Sequence, residues 1–178
     1  MNIPNTLTII RILLVPIIVI LLMQELFFLA LIVFVAASVT DALDGFLARI
    51  LKQQTVLGAY LDPLADKALI LTTFVALSIL NVIPGWLTVI VISRDCVILL
   101  GVSVLFLMSV SFEIAPSFVS KATTVIQLLT AFLALVTRCM PGYINYPTIV
   151  TVFWVAAFFT IISGLDYISR GIKFINNS

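Results

Sequence analysis

The chain has 178 residues, 63% of them hydrophobic, with 9 Lys/Arg against 8 Asp/Glu, a net charge of +1 and a mean hydropathy of +1.31. So few charges leave too little polar surface for a soluble monomer, and the near-neutral balance gives no reason to expect a nucleic-acid partner. Histidine is absent, which removes the commonest general base and transition-metal ligand and leaves acid–base work to carboxylates.

Apolar runs at 3–22, 26–48, 62–80, 84–108, 118–139 and 146–170 approach the roughly 20 residues that cross a bilayer. They predict an all-α integral membrane protein of six transmembrane helices, with no repeat or linker, hence one domain over 1–178. The first run has no basic leader and no small-residue cleavage site, so it is expected to stay as a spanning helix. It carries Arg11, which is expected either to face a polar cavity, meeting a phosphate or an aspartate, or simply to snorkel. Glu25 and Glu113 fall in turns and are expected to be solvated. The second run ends in Asp41-Ala-Leu-Asp44-Gly45-Phe-Leu-Ala48-Arg49, and the third opens around Gly58, Asp62, Pro63 and Asp66. Pro63 suits a first-turn position or a kink directly after Asp62. The fourth holds Arg94 beside Asp95, whose plain reading is a self-neutralising pair that orders helix packing. Cys96 and Cys139 give no disulfide or thiolate-metal pattern and are read as packing residues. Lys121 opens the fifth run, and Asp166 with Arg170 forms an i, i+4 pair near the end of the sixth. With the N-terminus inside, Arg49, Lys52, Lys121, Arg170 and Lys173 fall toward the cytoplasm and only Arg138 outside, as the positive-inside bias requires. Trp86, Tyr143, Tyr146 and Tyr167 near the span ends read as interface anchors.

Carboxylates inside hydrocarbon are costly and usually face a polar cavity with a partner or an ion. On a helix, Asp41, Asp44, Gly45 and Ala48 share one face about 100° wide, and the small residues let something large approach the backbone beside the acids. Gly58, Asp62 and Asp66 make a second stripe at i, i+4, i+8. The short connection between the two runs predicts adjacent antiparallel helices whose acids converge. Four oxygen donors without His or Cys suit Mg²⁺ or Mn²⁺, and Ca²⁺ less specifically. Two ions held this way are the arrangement used to clamp attacking and leaving oxygens in phosphoryl chemistry. The plainer alternative is acids paired with Arg49, Lys52 and Lys67, or solvated at the membrane surface.

The spaced pattern D-x-x-D-G-x-x-A-R-x8-G-x-x-x-D-x-x-x-D, met at every specified position, resembles the signature of the CDP-alcohol phosphatidyltransferase family. The opening Asn2-Ile3-Pro4-Asn5-Thr6-Leu7-Thr8-Ile9-Ile10-Arg11 and the stretch Leu61-Asp62-Pro63-Leu64-Ala65-Asp66-Lys67 are similar to the branch of phosphatidylglycerophosphate synthases and CMP-forming cardiolipin synthases. The resemblance implies a homodimer in the inner membrane with its active site between helices at the cytoplasmic side, and CDP-diacylglycerol as substrate. By position it implies that Asp41, Asp44, Asp62 and Asp66 hold the divalent ions and that Asp66 is also the base. It implies that Gly45, Arg49 and Thr55 contact the cytidine diphosphate, with Pro4, Asn5, Thr6 and Leu7 lining the same pocket.

The acceptor depends on the remaining cations, for which Arg94 and Lys121 are the candidates. Glycerol 3-phosphate carries nearly two negative charges and calls for two or three cations. Synthases that use it commonly show Gly-Lys-x-Lys-Thr at the start of the fifth helix, where this chain reads Ser120-Lys121-Ala122-Thr123-Thr124. One lysine is missing, and Thr123→Lys is the natural probe of its importance. Glycerol 3-phosphate is the expected acceptor and phosphatidylglycerol, as in cardiolipin synthesis, the alternative. A small cation transporter is the remote alternative: it would distribute its acids along a route across the membrane rather than on two neighbouring helices.

Overall fold

The computed structural model describes the backbone of residues 3–51, 56–107 and 118–176, and the side chains of residues 8–40, 65–101 and 118–171. These residues form six helices: α1 Ile3–Met23, α2 Phe27–Leu51, α3 Val56–Ile79, α4 Gly85–Leu107, α5 Phe118–Cys139 and α6 Tyr146–Asn176. There is no strand among them. Five helices start within a residue of their apolar runs. α3 does not: it begins at Val56, because Val56-Leu57 and Ala59-Tyr60-Leu61 are apolar and neither Gly58 nor Asp62 suffices to end a helix. Pro63 therefore lies beyond the first turn of α3, not in it.

Each helix packs on two or three others. Around the bundle the neighbours run α1, α2, α5, α6, α4, α3 and back to α1, with α3 also touching α5 across the middle. Phe34 of α2, Phe74 and Leu77 of α3, Leu135 of α5 and Ala156 of α6 form the buried centre. The outward faces are as apolar as the core: Leu13, Phe28, Leu100, Trp154 and Phe158 are all exposed. Apolar surface on that scale needs a hydrocarbon solvent, which marks a membrane protein. Of the described helices, Phe118–Cys139 and Tyr146–Gly171 are long and apolar enough to cross a bilayer.

The reversals are made by capping geometry. α1 ends with Glu25 at φ 58° and a Leu26 N–H bond to Leu21 O of 2.9 Å; α3 ends with Asn81 at φ 55° and a Val82 N–H bond to Leu77 O of 2.8 Å. Both are Schellman-type ends, in which a left-handed residue lets the chain return bonds to the last turn. Glu25 is exposed, as expected of a turn acid, whereas Glu113 lies outside the described residues. At the same end of the bundle Arg138 closes α5, its guanidinium carbon 5.8 Å from the Phe27 ring centre and Nη2 3.4 Å from Leu80 O. Trp86, Tyr143 and Tyr146 are exposed at this end too, whereas Tyr167 sits at the other end of α6 and is partly buried. The buried charged groups, Arg11, Arg94 and Asp95, lie in the opposite half.

Candidate active site

α2 is a continuous helix through residue 51 and α3 is one from residue 56, so each pair of aspartates occupies a single helix. The side chains of Asp41, Asp44, Gly45, Arg49 and Asp62, and of Pro4, Asn5, Thr6 and Leu7, lie outside the described set, as does Thr55 altogether. Asp66 is described. Its Oδ1 accepts a hydrogen bond from Arg11 Nη1 at 2.7 Å, forming an ion pair between α1 and α3. The Arg11 side chain is 0% exposed and that of Asp66 34%. Of the two sequence expectations for Arg11, meeting an aspartate is the one realised; snorkelling is not. Burial of that guanidinium without a counter-charge would cost several kcal/mol, so the pair fixes how α1 sits on α3. The site is thus built from three helices, with α1 packed against both carriers of the acid motif.

Asp66 also lines a cavity of about 20 Å³ with Ser38 of α2, Leu69 and Ile70 of α3, and Thr124 and Leu128 of α5. That volume admits about one water molecule. The polar side chains among its lining residues, those of Asp66, Ser38 and Thr124, carry only oxygens, the donor chemistry that hard divalent ions accept. Among the described residues no three Asp, Glu, His or Cys side chains converge, which follows from three of the four motif aspartates being outside that set. Asp66, with a side chain 34% exposed, fits a place in such a donor set.

A second polar cluster lies on the other side of α3. Arg94 of α4 is buried, and its donors go to protein: Nη1 to Asp95 Oδ1 at 2.6 Å, Nη2 to Ser120 Oγ at 2.7 Å, and Nη2 and Nε to Ser163 Oγ at 2.8 and 3.3 Å. One guanidinium thereby ties α4 to α5 and α6. Lys67 Nζ lies 3.4 Å from the same Asp95 oxygen, which brings in α3. Lys121, next to the bonded Ser120, is exposed. The expected Arg94–Asp95 pair is present, and it belongs to a four-helix network. Ser120, Ser163 and Lys67 were not singled out as members of that network from sequence, since serines carry no signal and Lys67 lies next to Asp66 in a motif whose acids dominate the reading.

The missing-lysine position has a different environment from the one the sequence suggests. Thr123 is fully buried, and its hydroxyl donates to Val119 O at 2.8 Å and to Phe159 O of α6 at 3.1 Å. Gln127 continues this α5–α6 seam by donating to Thr160 Oγ1 at 3.1 Å. A lysine at 123 would enter a packed helix seam, so that substitution probes packing as well as charge. Asp166 and Arg170 form the expected i, i+4 pair at 3.1 Å, with Arg170 more than half exposed.

Residues 1–162 match the sequence profile of the family described as CDP-alcohol phosphatidyltransferase. The chain is 30% identical to the CDP-diacylglycerol--glycerol-3-phosphate 3-phosphatidyltransferase of Bacillus subtilis, covering 99% of this chain and 98% of that protein. It is 37% identical to the protein of the same name from Haemophilus influenzae, over 94% of this chain and 91% of that one. It is also 38% identical to the human cardiolipin synthase (CMP-forming), there covering 72% of this chain and 48% of the relative.

Proposed function

From the premise that the chain belongs to the CDP-alcohol phosphatidyltransferase family and is a phosphatidyltransferase, we propose that it transfers the phosphatidyl group of CDP-diacylglycerol to glycerol 3-phosphate, giving phosphatidylglycerophosphate and CMP. The observation that carries this reading is the end-to-end match to relatives bearing that activity in their name. A second reading, phosphatidylglycerol as acceptor, is favoured by the similarity to the human cardiolipin synthase and by Thr in place of a second lysine at 123.

In this reading all six helices span the inner membrane as one domain, with the site toward the cytoplasm and two chains forming a homodimer. Helices of 21 to 31 residues with apolar outer faces support the spans. The family generally uses a divalent metal. Asp41, Asp44, Asp62 and Asp66 would hold Mg²⁺ or Mn²⁺, two ions in all. When bound, such ions supply neutralisation of the diphosphate and of the charge that develops on it.

The chain's own groups divide the remaining work. Pro4, Asn5, Thr6 and Leu7 on α1, with Gly45, Arg49 and Thr55, would hold the cytidine diphosphate, and Arg49 would oppose the charge gathering on CMP as it leaves. Asp66 would accept the proton of the acceptor hydroxyl as that oxygen bonds to phosphorus and the bond to CMP breaks. Arg11 holds Asp66 Oδ1 at 2.7 Å, which orients the carboxylate toward the acceptor. The acyl chains can remain in the bilayer, entering between helices.

Purified protein given CDP-diacylglycerol and Mg²⁺ is expected to release CMP when glycerol 3-phosphate is added and not in its absence. Release with phosphatidylglycerol alone would establish the second reading, and release with neither would overturn both.

A further inference from the structure

Arg11 and Asp66 form an ion pair on one side of α3. Around Asp95, two cations, Arg94 Nη1 at 2.6 Å and Lys67 Nζ at 3.4 Å, meet on a single carboxylate oxygen. Among the described residues this second cluster therefore carries a surplus positive charge. Arg94 has its donors engaged by Asp95, Ser120 and Ser163. Lys67 does not: its ammonium nitrogen is buried and makes no hydrogen bond, its approach to Asp95 being an ion pair without hydrogen-bond geometry. The Lys67 side chain is 32% exposed, and its ammonium meets one carboxylate oxygen without a hydrogen bond, so its three donors remain to be satisfied and a further anion would satisfy them.

We propose that Lys67 binds the anionic group of the acceptor, with Asp95, itself fixed by Arg94, acting as the positioning residue that holds Lys67. The inference rests on the phosphatidyl-transfer reading and names which side of α3 takes the acceptor's phosphate. Adjacent residues on a helix differ by about 100° in direction and 1.5 Å in rise. Asp66 meets α1 and Lys67 meets α4, so a small acceptor lying across this part of α3 can put its hydroxyl at the carboxylate and its phosphate at the ammonium. The ligand class is a phosphate ester. A phosphomonoester and a lipid phosphodiester share that chemistry, and the exposed Lys121 beside the cluster is available to add charge for the former.

The test compares wild type, Lys67→Gln and Lys67→Arg in the CMP-release assay, with glycerol 3-phosphate in one arm and phosphatidylglycerol in mixed micelles in the other. The KM for acceptor and for CDP-diacylglycerol is measured separately in each. Lys67→Gln is expected to raise the acceptor KM by about tenfold or more and leave the CDP-diacylglycerol KM within about twofold, with Lys67→Arg restoring most of the loss. Where Lys67→Gln is inactive, thermal stabilisation by glycerol 3-phosphate in the presence of CDP-diacylglycerol replaces the kinetics. Loss of that stabilisation with CDP-diacylglycerol's own effect retained supports the inference, and its retention overturns it. An unchanged acceptor KM, or an equal rise in both KM values, also overturns it. If wild type itself releases CMP with neither acceptor, the transfer reading fails and takes the inference with it, a result distinct from an active wild type indifferent to Lys67.

Discussion

Two arginines are buried in the same half of this bundle and are used in opposite ways. Arg11 pairs with Asp66 across α1 and α3. Arg94 distributes its donors over Asp95, Ser120 and Ser163 on α4, α5 and α6. The first arrangement leaves its acid 34% exposed and lined up on a cavity with Ser38 and Thr124; the second is a closed knot in which both side chains are nearly inaccessible. The difference teaches that a charge inside a membrane helix is not by itself a mark of chemistry. What separates the two is whether the partner keeps an open side.

Thermal melting in detergent can break this comparison residue by residue. The largest loss is expected for Asp95→Ala, which strands Arg94 and Lys67 as buried cations with no carboxylate; breaking a buried pair from one side costs about 3–5 kcal/mol. Arg11→Ala should lose less, about 2 kcal/mol, because Asp66 is a third exposed and water can reach it. A loss for Arg11→Ala larger than for Asp95→Ala would reverse the assignment of roles. Thr123→Lys is expected to cost about 1–3 kcal/mol, since it removes the hydroxyl bonded to Phe159 O and forces an ammonium into the α5–α6 seam. An unchanged melting temperature there would show that the seam opens easily and would make the variant a clean acceptor probe. Smallest is Gly164→Ala on α6. The added methyl would meet Arg94 Cγ at 3.7 Å, an ordinary contact, so the change should stay within about 1 kcal/mol, on the stabilising side given alanine's helix propensity. A strong destabilisation would mean that Arg94 has less room than its hydrogen bonds suggest.

Much of this architecture was legible in the chain because apolar run length dominates a membrane fold. Five of the six helices begin within a residue of where the runs begin. α3 begins six residues before its apolar run because Asp62 and Pro63 interrupt the run without ending the helix, which depends on the apolar residues from Val56 onward. The helix ends at Glu25 and Asn81 were not foreseeable as left-handed caps, since neither is the glycine that usually fills that place. In the site, Arg11 was readable as a cation in an apolar run that could meet a phosphate or an aspartate or snorkel, and only the packing of α1 on α3 selects the aspartate. Lys67 and the serines of the Arg94 network were not, because their meaning arises only when α3, α4, α5 and α6 come together. Thr123 shows the limit of reading by position. Where the resemblance led us to look for a second lysine, the chain places a buried threonine bonded across the α5–α6 seam.

The proposed transfer requires Asp66 to take the proton of the acceptor hydroxyl. Acceptor-dependent CMP release by wild type and Asp66→Asn, measured side by side at saturating CDP-diacylglycerol and Mg²⁺, tests this most directly. The substitution keeps shape while removing charge and basicity, and is expected to lower release by about 10²–10⁴-fold. Release by Asp66→Asn at the wild-type rate would contradict the account.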